Sequence, residues 1–213
     1  MLNEYKYPKH DVPFTDSEDE TNTVEELELL TTHINSKNCP YQADLKATLR
    51  SVIKQSWVDF CLDYFNESGK TPSLFVTLLT KTTNEDYARE AYKHFVNQLR
   101  ARLYGRNGLT DADKQPAIFA VMERHYHNDY LHFHIIVGYN PQSDSCKAKS
   151  LNGLAKMIRG AWSKIKLRQT STFDNKQSIQ EIDPSPQSLK RLVSYMVKNV
   201  NDGGLGEVLI ERM

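Results

Sequence analysis

Four of the seven histidines fall within one ten-residue stretch, His125, His127, His132 and His134, and this density is the first sign of chemistry in the chain. His132 and His134 open the apolar run LHFHIIVGY (131–139). In a strand, alternate side chains share a face, so Leu131, Phe133, Ile135 and Val137 lie on one side and the two imidazoles lie together on the other. A second run, AIFAVMER (117–124), precedes it across HYHNDY and ends in an acid, Glu123. If Tyr126 and Asp129 close a two-residue turn, Glu123 stands directly opposite His132, on its face and within about 5.5 Å. Two imidazoles and a carboxylate with open positions suit a divalent ion that polarises a substrate oxygen, and the same donor types serve zinc and non-haem iron. Moving the pair onto His125 and His127 would keep the spacing but bring it nearer the turn, and the apolar strand that follows favours His132 and His134.

A second grouping lies near the C-terminus, where RLVSYMVKNV spaces Tyr195 and Lys198 three residues apart, as neighbours on one helical face. A phenol with a reference pKa of about 10 is a poor nucleophile unless a cation or hydrogen bonds stabilise the phenolate. Lys198 can supply that charge, or meet a phosphate oxygen. A third feature is electrostatic. Lys and Arg together balance Asp and Glu, 27 against 27, yet residues 1–40 hold three lysines against nine acids. Between Lys147 and Lys176, eight basic residues (Lys147, Lys149, Lys156, Arg159, Lys164, Lys166, Arg168 and Lys176) face Asp174 alone. A field of that sign attracts polyanions, and Trp162 and Phe173 within it offer surfaces on which bases could stack.

The elements that must position these residues follow from periodicity. Residues 1–22 are acidic and proline-containing, which predicts a mobile arm. Over 23–68, Leu45, Leu49, Ile53, Trp57, Phe60 and Tyr64 recur at helical steps, predicting a helical segment that ends before Gly69 and Pro72. From there the pattern predicts strand 73–81, helix 84–105 with an Asn84 cap and a Gly105 stop, strands 117–124 and 131–139, helix 151–166, strand 178–182 and helix 184–200. The order β-α-β-β-α-β-α predicts an α+β domain over 73–213, a central antiparallel sheet with helices packed on it, preceded by the N-terminal helical segment. No apolar run reaches the ~20 residues of a membrane span, and the first residues lack the apolar centre of a signal peptide. Cys39, Cys61 and Cys146 are odd in number and in no CxxC spacing. A cytoplasmic protein with reduced thiols is expected.

His132-Phe133-His134 with its apolar strand, followed by a helix carrying Tyr195-x-x-Lys198, resembles the HUH endonucleases, and more closely the rolling-circle replication initiators (Rep proteins) with a single catalytic tyrosine. The likeness covers about residues 73–200. It implies that His132, His134 and Glu123 are ligands of Mg²⁺ or Mn²⁺, that Tyr195 is the nucleophile with Lys198 beside it, and that single-stranded DNA, or a hairpin origin, is nicked and rejoined through a 5′-phosphotyrosine. Lys147, Lys149, Lys156, Arg159, Lys164, Lys166 and Arg168 would then track the DNA backbone, and a host helicase or polymerase would be a partner. Histidines preceding the tyrosine are shared with single-strand transposases, which leaves excision as an alternative to replication. A DNA-binding regulator that has lost turnover is another alternative. A non-haem iron oxygenase ranks below both, because the two histidines of that site usually lie far apart in sequence.

Overall fold

The computed structural model describes residues 42–105, 115–125, 129–173, 178–198, 200 and 206–210. The predicted arm 1–22, the first part of the predicted helical segment, His127 and Lys176 lie outside these residues. The elements are α1 (Gln42–Ser68), β1 (Thr71–Leu79), α2 (Glu85–Tyr104), β2 (Ala117–Arg124), β3 (Leu131–Tyr139), α3 (Leu151–Trp162), a 3₁₀ turn (Thr170–Phe173), β4 (Ile179–Glu181), α4 (Pro186–Met196) and β5 (Gly206–Ile210). Helix α1 runs through the boundary between two compact units, Met1–Leu49 and Arg50–Met213, and the sheet belongs entirely to the second. Among the described residues no helix is long and apolar enough to cross a membrane.

The five strands form one antiparallel sheet in the order β4-β1-β3-β2-β5. Strand β3, which carries the histidines, is central. Its alternation splits the core in two. Phe133, Ile135 and Val137, with Leu74, Val76 and Leu78 of β1 and Ile118, Ala120 and Met122 of β2, pack against α2 and α3. On the opposite face Phe75, Phe119, Val121 and Ile136 pack against Val58, Cys61 and Phe65 of α1 and Leu189, Val193 and Met196 of α4. Full burial of such side chains stabilises by about 1.5–3 kcal/mol each. Asn84 accepts a hydrogen bond from the Tyr87 amide at the start of α2, Ser150 caps α3, and Ser185 with Pro186 opens α4. Each cap satisfies an amide that the helix itself cannot.

Four expectations need correction. The apolar stripe of α1 is displaced by one residue: Val58, Cys61 and Phe65 are buried, whereas Leu49 and Phe60 are exposed and Trp57 and Tyr64 are half-buried. Helix α3 ends at Trp162, and a turn from Ser163 buries Ile165 and brings Leu167 to the Lys81 amide. Helix α4 ends at Met196, so Lys198 lies in the following turn, its amide bonded to the Tyr195 carbonyl at 3.3 Å. Strand β5, absent from the predicted order, pairs with β2 from Phe119↔Ile210 to Glu123↔Gly206. Cys61 and Cys146 are free and buried, and burial pushes the Cys61 thiol up, away from reactivity.

Candidate metal centre and tyrosine

The β2–β3 register pairs Glu123 with His132 and Val121 with His134, as the turn-centred alignment predicts. Glu123 therefore shares a face with both imidazoles. One ligand atom from each of the three side chains lies within 4.8 Å of the others, and all three are buried, at 3%, 9% and 8% exposure. Both Nε2 atoms stand 3.6 Å from Glu123 Oε2. That separation is too long for a hydrogen bond, which would lie near 2.7–3.2 Å (an approximate range). It does match the edge of a coordination polyhedron whose bonds are about 2.0–2.2 Å.

Two orphaned atoms support the same reading. Glu123 Oε1 and His132 Nδ1 are buried with no hydrogen-bond partner. A carboxylate enclosed by two neutral rings is costly without a compensating cation. His134 is held neutral, its pKa lowered to about 4 by burial first, then by His132 and Lys198, against an opposing pull from Glu123. Neutral imidazole is the ligating form. The donor set of one carboxylate and two imidazoles thus fits a divalent ion without selecting which.

Neighbouring strand β1 orients His134. Thr77 Oγ1 lies 3.2 Å from its Nδ1, so with Nδ1 protonated the hydroxyl accepts that proton and the Nε2 lone pair faces Glu123. Phe75 stacks on the same ring at 5.5 Å between centroids. Neither residue stands out in the sequence. Their only signal is the two-residue alternation of SLFVTLL, which gains meaning once β1 is known to pair with β3 through Thr77↔His134. Exposed His125 stands at the rim, its ring 6.0 Å from His132.

Helix α4 brings Tyr195 to the other side of the group. Its ring lies 5.9 Å from that of His134 and it is 49% exposed, as a group that meets a large substrate must be. Lys198 Nζ sits 3.9 Å from the centre of the Tyr195 ring, a cation–π distance. Glu123, His132, His134, Tyr195 and Lys198 are thus drawn together from four segments of the chain.

The basic run is placed elsewhere. Lys156 and Arg159 are exposed on α3, which covers the sheet face away from the histidines. Lys147 and Lys149 precede that helix, with Lys149 donating to the Ser143 carbonyl, and Lys164 and Lys166 are exposed in the turn that follows it. Arg168 is half-buried, bridges to Thr80 and donates to the Ile165 carbonyl. Trp162 is fully buried against Phe95 and Phe133, so no base can stack on it. Phe173 is half-buried beneath Arg159.

An antiparallel α+β sheet with a carboxylate–diimidazole group on its central strands and a tyrosine on a covering helix defines a class of protein built to act on a phosphate-bearing chain. Residues 73–202 match the family model of the replication-associated protein ORF2, and the chain belongs to that family, whose role is the initiation of replication. No curated protein and no solved structure matches it.

Proposed function

We propose that the protein initiates rolling-circle replication by nicking and rejoining single-stranded DNA through Tyr195. The observation that carries this reading is the meeting of Glu123, His132 and His134 with the Tyr195 ring beside His134, in a chain of a replication-associated family. Glu123, His132 and His134 would hold Mg²⁺ or Mn²⁺, which when bound supplies a positive charge for the non-bridging oxygens of the scissile phosphate. Tyr195 Oη attacks phosphorus, forming the tyrosyl O–P bond as the P–O3′ bond breaks. The phenolic proton passes to solvent and the departing 3′ oxygen ends as a hydroxyl. Lys198, against the face of the ring, favours the phenolate over the phenol. Because one phosphoester replaces another, the 3′-hydroxyl of a second end can reverse the step without a nucleoside triphosphate. The free 3′-hydroxyl primes synthesis, and a replication-associated family favours that outcome over transposition. Lys147, Lys149, Lys156, Arg159, Lys164, Lys166 and Arg168, on or around the far face, would meet DNA that flanks the scissile step.

The test is a denaturing gel of protein incubated with end-labelled single-stranded DNA from its own replicon and Mn²⁺ or Mg²⁺. Label should migrate with the protein and vanish with EDTA or with Tyr195→Phe. Binding without any covalent label, across a broad pool of sequences and hairpins, would replace the nuclease with a DNA-binding module.

A further inference from the structure

Where α1 passes the end of α4, a pocket of about 280 Å³ is lined by Arg50, Ser51, Ile53, Lys54, Val197, Lys198 and Val200. Three of these side chains are cations and none is acidic. Arg50 and Lys54 are four residues apart on α1, hence on one face of it, and both are exposed, as is Lys198. Ile53, Val197 and Val200 form an apolar floor. The volume falls just below the ~300–1,000 Å³ of small-molecule sites, too small for a bound nucleotide cofactor but ample for a single phosphodiester. Lys198 joins this pocket to the nucleophile, since its ammonium lies 3.9 Å from the centre of the Tyr195 ring.

We infer that Arg50, Lys54 and Lys198 form a second phosphate site, which grips the single-stranded DNA backbone beside the nucleotide presented to Tyr195. This gives α1, which precedes the family-matched residues 73–202, a part in substrate binding. The inference rests on the nuclease reading only for what the neighbouring phosphate is doing; the electrostatics need no cleavage. Convergence of like charges from two segments around a cavity lined by no carboxylate creates a positive field that a polyanion relieves. A phosphodiester chain is the polyanion that already passes Tyr195.

The experiment measures binding of a fluorescent single-stranded oligonucleotide by anisotropy over a range of salt, in a Tyr195→Phe background that cannot cleave. Its comparison is the same protein carrying Arg50→Gln and Lys54→Gln. Removing two phosphate contacts should flatten the slope of log Kobs against log salt by about 1.4, so that a tenfold rise in salt costs the parent about 25-fold more affinity than the variant. Charge reversal, Arg50→Glu with Lys54→Glu, should weaken low-salt binding further. Both pairs sit on an exposed helix surface, and circular dichroism should show the fold intact. An unchanged slope in a folded variant overturns the pocket even if Tyr195 forms its adduct normally. A flattened slope beside a wild-type protein that never becomes labelled would keep the pocket and overturn the nuclease.

Discussion

Replacing Thr77 with valine removes one hydroxyl while preserving the shape and branching that suit β1. The hydroxyl lies 3.2 Å from His134 Nδ1, at the long end of the normal range, in a site where His134 is only 8% exposed. With Thr77 present, the single proton of neutral His134 resides on Nδ1, and Nε2 offers its lone pair toward Glu123. With valine, Nδ1–H has no acceptor, and the ring gains by moving the proton to Nε2, where Glu123 Oε2 stands 3.6 Å away. A metal ion must then reverse that choice and leave a buried N–H unsatisfied, which costs about 1–2 kcal/mol of binding, or about 5- to 30-fold in affinity. Titration calorimetry with Mn²⁺ at neutral pH reads this directly. Thr77→Ser, which keeps the oxygen, should recover most of the loss, while Glu123→Gln should lose far more. Thr77→Val binding Mn²⁺ as tightly as the wild type, with Glu123→Gln inactive, would refute the role given to Thr77.

His134 also makes the metal-free protein sensitive to acid. Its folded pKa of about 4 lies below the ordinary 6.5, so its contribution to stability is complete above about pH 6.5 and is lost as pH falls towards 4. Urea unfolding in EDTA should show about 2.5 kcal/mol of extra loss between pH 7 and about pH 4.5, and His134→Gln should remove that component. Gly138→Ala would place its Cβ 2.8 Å from Phe65 Cε1 and 3.2 Å from the Thr71 carbonyl oxygen, an overpacking worth about 1–3 kcal/mol. Thermal denaturation should show the drop, and Phe65→Leu added to it should return part of the loss. Arg124 donates to the Thr83 carbonyl at 3.0 Å and to Glu85 at 2.7 Å, and these bonds hold the Glu85 carboxyl below its usual range. Because both partners are partly solvated, Arg124→Gln should cost no more than about 1 kcal/mol in chemical denaturation.

The residues that proved legible in the sequence are those whose placement depends on one short-range rule. Alternation along LHFHIIVGY, plus one assumed turn, places Glu123, His132 and His134 together, because a hairpin register is fixed by its own turn. Asn84, Gly105, Ser150 and Pro186 mark helix ends for equally local reasons. Thr77 and Phe75 escaped notice because their partner strand lies more than fifty residues away, and nothing within β1 records which neighbour it will take. Helix α1 misled because apolar residues occur in adjacent pairs, Trp57 with Val58, Phe60 with Cys61 and Tyr64 with Phe65, and only packing against the sheet decides which of each pair turns inward. Strand β5 is five residues long and has no reason to extend apart from the open edge of β2. Tyr195 and Lys198 were found, but as helical neighbours; the turn after Met196 shows that the lysine reaches the ring from beyond the helix.

Strand β3 is hydrogen-bonded on both sides, to β1 and to β2, and every residue in it is buried. Its amides can exchange with solvent only when the whole sheet opens, so the histidine backbone should be among the slowest-exchanging parts of the molecule. Tyr195, by contrast, is near the last turn of an eleven-residue helix and half in water. A strand-transfer reaction run on this scaffold has a stationary electrophile and a nucleophile that can swing. The time a cleaved end is held would then depend on the local opening of α4, a quantity that hydrogen exchange can separate from the stability of the sheet.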